Sequence, residues 1–187
     1  MKDTYNKPIS GHIIIECLDK SGAVIDRFEK NNLIMDNARN AMTKLTASIT
    51  GADPINKFII GTSGHITGNY LTPKTEVQGF VSSRTRLFSE EISNYNYPIV
   101  FTNPGSTSGN CAVVSEPNSG TVISLLTTTN SIQYTIEIDD AAANNTGIVV
   151  FTEAALYAGS DIFSMKCFPG KIKDNTVSLR IIWKILL

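Results

Sequence analysis

Two histidines, His12 and His65, and three widely spaced cysteines, Cys17, Cys111 and Cys167, are all the imidazole and thiol groups in this chain of 187 residues. No C-x-x-C occurs. A structural zinc site needs four such ligands brought together, so no metal is expected, and nothing in the sequence implies a cofactor. An odd cysteine count at wide spacing favours reduced, buried thiols over a disulfide framework. Charge is scarce as well. Asp, Glu, Lys and Arg make up 18% of the chain, below the roughly 25% of an average globular protein. The net charge is −1, which gives no field to attract a phosphate backbone, so nucleic acid is not an expected partner. Long apolar runs are missing too. Gly147–Phe151 and Ile181–Leu187 are far shorter than the roughly 20 residues of a membrane-spanning helix, and no membrane is expected. The opening residues, MKDTYNKPISGH, hold no apolar stretch of the signal-peptide kind, so folding in a cytoplasm is the expectation.

What is present is a 42% apolar fraction, enough for a real core, in a background of Thr, Ser, Asn and Gly. Those residues favour strands, turns and exposed sheet surface. The length suits one domain, with Met1–Pro8 as a short N-terminal arm. Gly11–Asp19 and Ala23–Asn31 read as a hairpin turning at Lys20-Ser21-Gly22. A helix follows, capped by Asp36 and continuing to Ile49. Ala38, Met42, Leu45 and Ile49 fall at spacings of four, three and four, on one face. Gly51 and Pro54 are read as its stop.

Ile55–His65 reads as a short strand entering a glycine turn, and Thr62–Gly79 as loop. Further strands are predicted over Val81–Ile92, Asn96–Thr102, Cys111–Ser115 and Thr121–Leu126. In Ser131–Asp139, Ile132, Tyr134, Ile136 and Ile138 alternate with polar residues, the pattern of a half-buried antiparallel strand. Gly147–Gly159 and Asp161–Phe168 are the next strands, the second ending in a Pro169-Gly170 turn. The final strand alternates too. Val177, Leu179, Ile181, Trp183, Ile185 and Leu187 share one face, against Ser178, Arg180, Ile182, Lys184 and Leu186 on the other. So regular a strand, carrying the only tryptophan, belongs inside a sheet. The predicted fold is all-β: an antiparallel β-sandwich of about ten strands with one packed α-helix. Trp183, Ile181, Leu179, Ile185, Phe163 and Leu156 are its expected structural core.

Candidate chemistry is thin. GTSGH, Gly61–His65, lacks the G-x-S-x-G of a nucleophile elbow, and no histidine follows His65 to act as base. It also lacks the G-K-[ST] of a phosphate cradle. Glu137 and Asp139 share a strand face, which suits a solvated strand end better than a calcium site. Glu90-Glu91 reads as a solvated edge, and the Asn144-Asn145-Thr146 sequon as idle. Glu153 interrupts an apolar run, VVFTEAALY, and a buried carboxylate needs a partner. Lys171, Lys173 and Arg180 are nearby cations. The expected role is a buried ion pair, Glu153 with Lys173, or backbone hydrogen bonds. A catalytic acid ranks well behind, since no second carboxylate is evidently placed to work with it. Tyr70, Tyr95 and Tyr97 are candidates for surface recognition, because loop aromatics stack on sugars or on partner proteins.

The segment Glu153–Leu187, EAALYAGSDIFSMKCFPGKIKDNTVSLRIIWKILL, resembles the closing segment of small structural virion proteins of tailed bacteriophages, of the neck, collar, tail or baseplate type. The likeness is an E-x-x-L-Y/F stretch, a glycine turn, an aromatic strand ending near proline, a lysine-containing turn and a final I-x-W-x-I strand. It is carried by Glu153, Leu156, Tyr157, Gly159, Phe163, Phe168, Lys173, Leu179, Ile181, Trp183 and Ile185. Asn32–Leu45 and Phe58–Gly64 are similar to the same group's helix and the strand before its G-T-G-like turn, with Ser63 a small departure. The middle, about Gly79–Asn130, matches nothing in that group. The resemblance implies a β-rich, non-enzymatic structural protein of the virion, made in the host cytoplasm, without cofactor. Its implied partners are other virion proteins and further copies of itself. A fibre or capsid-decoration module binding host glycans through Tyr70, Tyr95 and Tyr97 is the alternative. A glycan hydrolase using Glu153 or Glu137 ranks third.

Overall fold

The computed structural model describes residues 9–76, 88, 96–98, 110–114, 121–128, 130–141 and 149–187, with the backbone alone for 96–98, 110–114 and 121–128. Alternation decides its centre. β12 (Ser178–Leu186) lies between β1 (Ser10–Leu18) and β9 (Ser131–Ile138), antiparallel to both. Register sets Trp183 between Ile13 and Tyr134, and Ile181 between Ile15 and Ile136. Leu179, Ile181, Trp183 and Ile185 are all fully buried. Each such side chain contributes roughly 1.5–3 kcal/mol relative to an exposed one.

The remaining long strands are β2 (Val24–Ile34), β3 (Ile55–Gly61), β10 (Val149–Ala158) and β11 (Asp161–Lys173). With β6 (Asn96–Pro98), β7 (Asn110–Val114) and β8 (Thr121–Thr128) they complete one antiparallel sheet, ordered β6-β3-β10-β11-β2-β1-β12-β9-β8-β7. The sheet folds over at β2. That strand pairs with β1 as far as Asn32, then Leu33 and Ile34 pair with Met165 and Ser164 of β11. Two leaves therefore face each other, and Phe58 of β3 meets Trp183 of β12 edge-on, ring centroids 6.3 Å apart. One hydrophobic cluster joins residues of both leaves, which is the sandwich the sequence predicts. Leu156 and Phe163 lie in that cluster with the four β12 residues.

The corner has a polar latch. Asn32 Nδ2 donates to Ser164 Oγ, whose hydroxyl donates to the Leu33 carbonyl at 2.9 Å. Gly11 faces this amide, and any Cβ there would fall on it. Away from the corner β2 and β11 separate, and side chains span the gap. Lys171 Nζ meets Asp26 at 2.6 Å and Phe28 packs on Phe168, ring centroids 6.0 Å apart, while Glu76, which belongs to neither strand, accepts the Cys167 N–H at 2.6 Å.

Several expectations are corrected. Pro169-Gly170 does not end a strand: β11 runs through it to Lys173. Phe151 pairs with Lys171 and Glu153 with Cys167, so Phe168–Gly170 stand opposite Thr152 alone. The bulge absorbs the proline where β11 has already left β2, so its missing N–H breaks no ladder. Thr62–Gly79 is not all loop. β4 (His65–Ile66) and β5 (Asn69–Pro73) make a small hairpin, turning at Gly68 with φ +81, and it packs on β11. Strand pairing and tertiary packing overrode the turn signals there. The strand predicted over 81–92 lies outside the described residues save Phe88, as do the N-terminal arm, Glu90-Glu91 and the 144–146 sequon.

The helix α1 spans Asp36–Thr46, ending three residues before Ile49. Asp36 is its first residue rather than its cap. Met35 occupies the cap position, with its N–H on the Phe163 carbonyl at 3.0 Å, because docking to β11 fixes the entry. Only Ala38 of the predicted stripe is buried, whereas Leu45 and Ile49 are exposed. The stop is a Schellman turn. Ser48 N–H donates to Leu45 O and Ile49 N–H to Lys44 O, with Ser48 at φ 53. That left-handed position favours glycine. Ser48→Gly is expected to raise stability by about 0.5–1 kcal/mol, read as a higher urea midpoint. A lower midpoint would contradict this account of the helix end.

Candidate functional site

Among the described residues, Glu153 is the one carboxylate with no exposure. It sits on β10 between β3 and β11, opposite Gly61 and Cys167. Its Oε1 accepts the Ser63 N–H at 3.2 Å and its Oε2 the Phe88 N–H at 2.7 Å. The neighbouring Thr152 Oγ1 accepts the Gly64 N–H at 2.9 Å and lies 3.3 Å from His65 Nδ1. Lys74 Nζ donates to the Ser63 carbonyl at 2.7 Å and stands 4.5 Å from the centre of the Phe88 ring. Gly64 lies so close to β10 that a Cβ would come within 2.5 Å of both the Thr152 carbonyl oxygen and Glu153 Cβ. The G-T-S-G turn is thus clamped to β10 by two adjacent side chains and a glycine that lets the backbones touch. Both carboxylate oxygens are used on backbone amides.

The expected Glu153–Lys173 pair does not form. Lys173 stands opposite Val149, four residues along β10 from Glu153, a separation of roughly 13 Å. Its Nζ donates to the Asp174 carbonyl at 2.8 Å. Burial lowers its pKa, partly offset by the charges of Asp139, Asp140 and Asp174. The sequence placed the right residues in the interior but could not give the register. Lys171 is also buried, and it pairs with Asp26 as described.

Glu137 belongs to the outer face of the other leaf. In register, Arg27 of β2, Glu16 of β1, Arg180 of β12 and Glu137 of β9 form a row across four neighbouring strands. Arg27 Nη1 meets Glu16 at 2.8 Å, Arg180 Nη1 meets Glu16 at 3.6 Å, and Arg180 Nε donates to Glu137 at 2.7 Å. Glu29 joins from β2, bridging Arg27 and His12 at 2.7 and 2.9 Å. Hydrogen bonds from Arg27, then His12, hold its carboxyl below the usual range. Sequence reading missed this ladder. Its signal was present as alternating charge on facing strands, but which strands face each other is a tertiary fact.

Two of the cavities border α1. One of about 590 Å³ lies beside the start of β1 and the end of β2, lined in part by His12, Asn32, Arg39 and Lys184. The other, about 290 Å³ and largely apolar, lies between α1 and the strand ends, lined in part by Met42, Leu45, Tyr134 and Leu187. Neither Glu153 nor Glu137 lines either of them. Among the described residues no three of His, Cys, Asp and Glu stand together as metal ligands would. Cys17 and Cys167 are buried, and burial pushes the Cys17 thiol up to about 11. Of the three candidate recognition tyrosines, Tyr70 is exposed on β5, beside Gly170 of β11. Tyr97 lies on β6 opposite Phe58, without a described side chain, and Tyr95 lies outside the described residues. Comparison with known families, with curated proteins and with solved structures found no match.

Proposed function

We propose that this chain is a non-enzymatic structural subunit of a tailed-bacteriophage virion. In this reading it assembles as a ring or decorates one at the neck, collar, tail or baseplate, and its partners are copies of itself and other virion proteins. The observation that carries the reading is the use made of Glu153–Leu187, the segment that bears the resemblance. It supplies the second part of β10 and all of β11 and β12, strands that lie inside the sheet order rather than at its edges. Its one fully buried carboxylate is spent on backbone amides. The polar side chains with the best-defined partners serve the framework, which suits a protein that works by surface complementarity.

The test is the mass of the purified protein in solution, with a glycan array alongside. The expected result is an oligomer whose mass is a multiple of 20.3 kDa and no specific glycan signal. A monomer at about 100 μM, a concentration at which even weak specific contacts populate oligomers, overturns the homo-oligomeric reading. Specific glycan binding lost on changing Tyr70 to alanine would favour the fibre or decoration module instead.

A further inference from the structure

We infer that the outer face of β2-β1-β12-β9 is a two-fold interface between copies of this chain. The inference deepens the assembly reading, and rests on it only in holding that copies of the chain meet. The argument is the order of charges. Arg27, Glu16, Arg180 and Glu137 occupy four successive strands in register, reading plus, minus, plus, minus. A row of that kind is self-complementary. A two-fold axis parallel to the strands, between β1 and β12, reverses it and lays it on itself. Arg27 then faces Glu137 of the second copy, and the more exposed Arg180 stands over the mostly buried Glu16, each charge meeting its opposite on both sides of the axis.

The next row supports the same axis. Ile14 and Ile182 are register partners on β1 and β12, both partly exposed and next to the charged row on the same face. The two-fold places Ile14 of one copy over Ile182 of the other, so four isoleucines close a small apolar centre with the charges outside it. That is the arrangement of a specific interface: apolar middle, polar rim. Four strands about 4.8 Å apart and seven residues at about 3.3 Å give a footprint of roughly 400 Å² per copy. This is at the low end for a specific contact, so the pair is weak alone and salt-sensitive.

Arg27 and Glu137 lie three strand spacings apart in one chain, roughly 14 Å, too far to pair directly. They meet only across the proposed axis, which makes a charge swap diagnostic. Sedimentation equilibrium of the full chain would compare wild type, Arg27→Glu, Glu137→Arg and the double variant. Each single variant is expected to weaken the dimer at least ~10-fold, and the double variant to return within a few-fold of wild type. Raising salt from about 50 to about 500 mM is expected to weaken the wild-type dimer ~5-fold or more. As a readout that leaves the charges intact, Ile14→Cys and Ile182→Cys chains are mixed with a short bismaleimide. They should cross-link to each other in preference to themselves. A double variant no better than the singles, together with no preferential cross-link, overturns the proposal. An oligomer indifferent to every substitution sinks this face and leaves the assembly reading standing. A wild-type monomer sinks both.

Discussion

Replacing Trp183 by alanine is expected to cost about 3–5 kcal/mol, the range for truncating a fully buried large aromatic side chain. Trp183 is among the largest side chains with no exposure, held between Ile13 and Tyr134 in the sheet and against Phe58 across the core. For a domain of this size the loss corresponds to a fall in Tm of about 10 °C. Trp183→Phe is expected to cost far less, below about 2 kcal/mol, for a reason specific to this site. The indole Nε1 is buried and finds no hydrogen-bond acceptor among the described residues. An orphaned buried donor costs about 1–3 kcal/mol, and phenylalanine removes it while keeping most of the ring volume. Thermal and urea unfolding of the two variants checks both halves. If Phe is as damaging as Ala, packing shape rather than the orphaned N–H governs the site.

Glu153→Ala should rank next, at about 2–5 kcal/mol, because it strands the Ser63 and Phe88 amides without an acceptor. Glu153→Gln keeps the shape but turns one end from acceptor to donor, setting an N–H against an N–H. Its expected cost is about 1–3 kcal/mol. Hydrogen exchange gives the finer check. Protection at Ser63 and Phe88 should fall in both variants, while amides of the β1–β12 ladder follow only the global loss. Unchanged exchange at those two amides would mean that the carboxylate is not what holds the G-T-S-G turn to β10.

Much of the fold is legible in local pattern. Period-two alternation marks β9 and β12 because each has one face on the core and one outside, and hydrophobicity reports that directly. The helix start was readable in place, but its engagement was not. Leu45 and Ile49 share the predicted stripe with Ala38, yet the sandwich reaches far enough to cover only Ala38 among them. Pro169-Gly170 reads as a turn in isolation. It became a bulge because β10 continued to pair on either side of it.

The sequence alone determined that the chain is strand-rich, that its last strand lies inside a sheet, and that Glu153 must find hydrogen-bond partners. Those properties follow from single residues and near neighbours. Only the tertiary structure decided which partners. The amides clasped by Glu153, the separation of Lys173 from it, the fold at Asn32 and the Arg27–Glu16–Arg180–Glu137 row all depend on register between strands far apart in the chain. Shifting one strand by one residue turns every side chain to the opposite face, so register is fixed by the packed core as a whole.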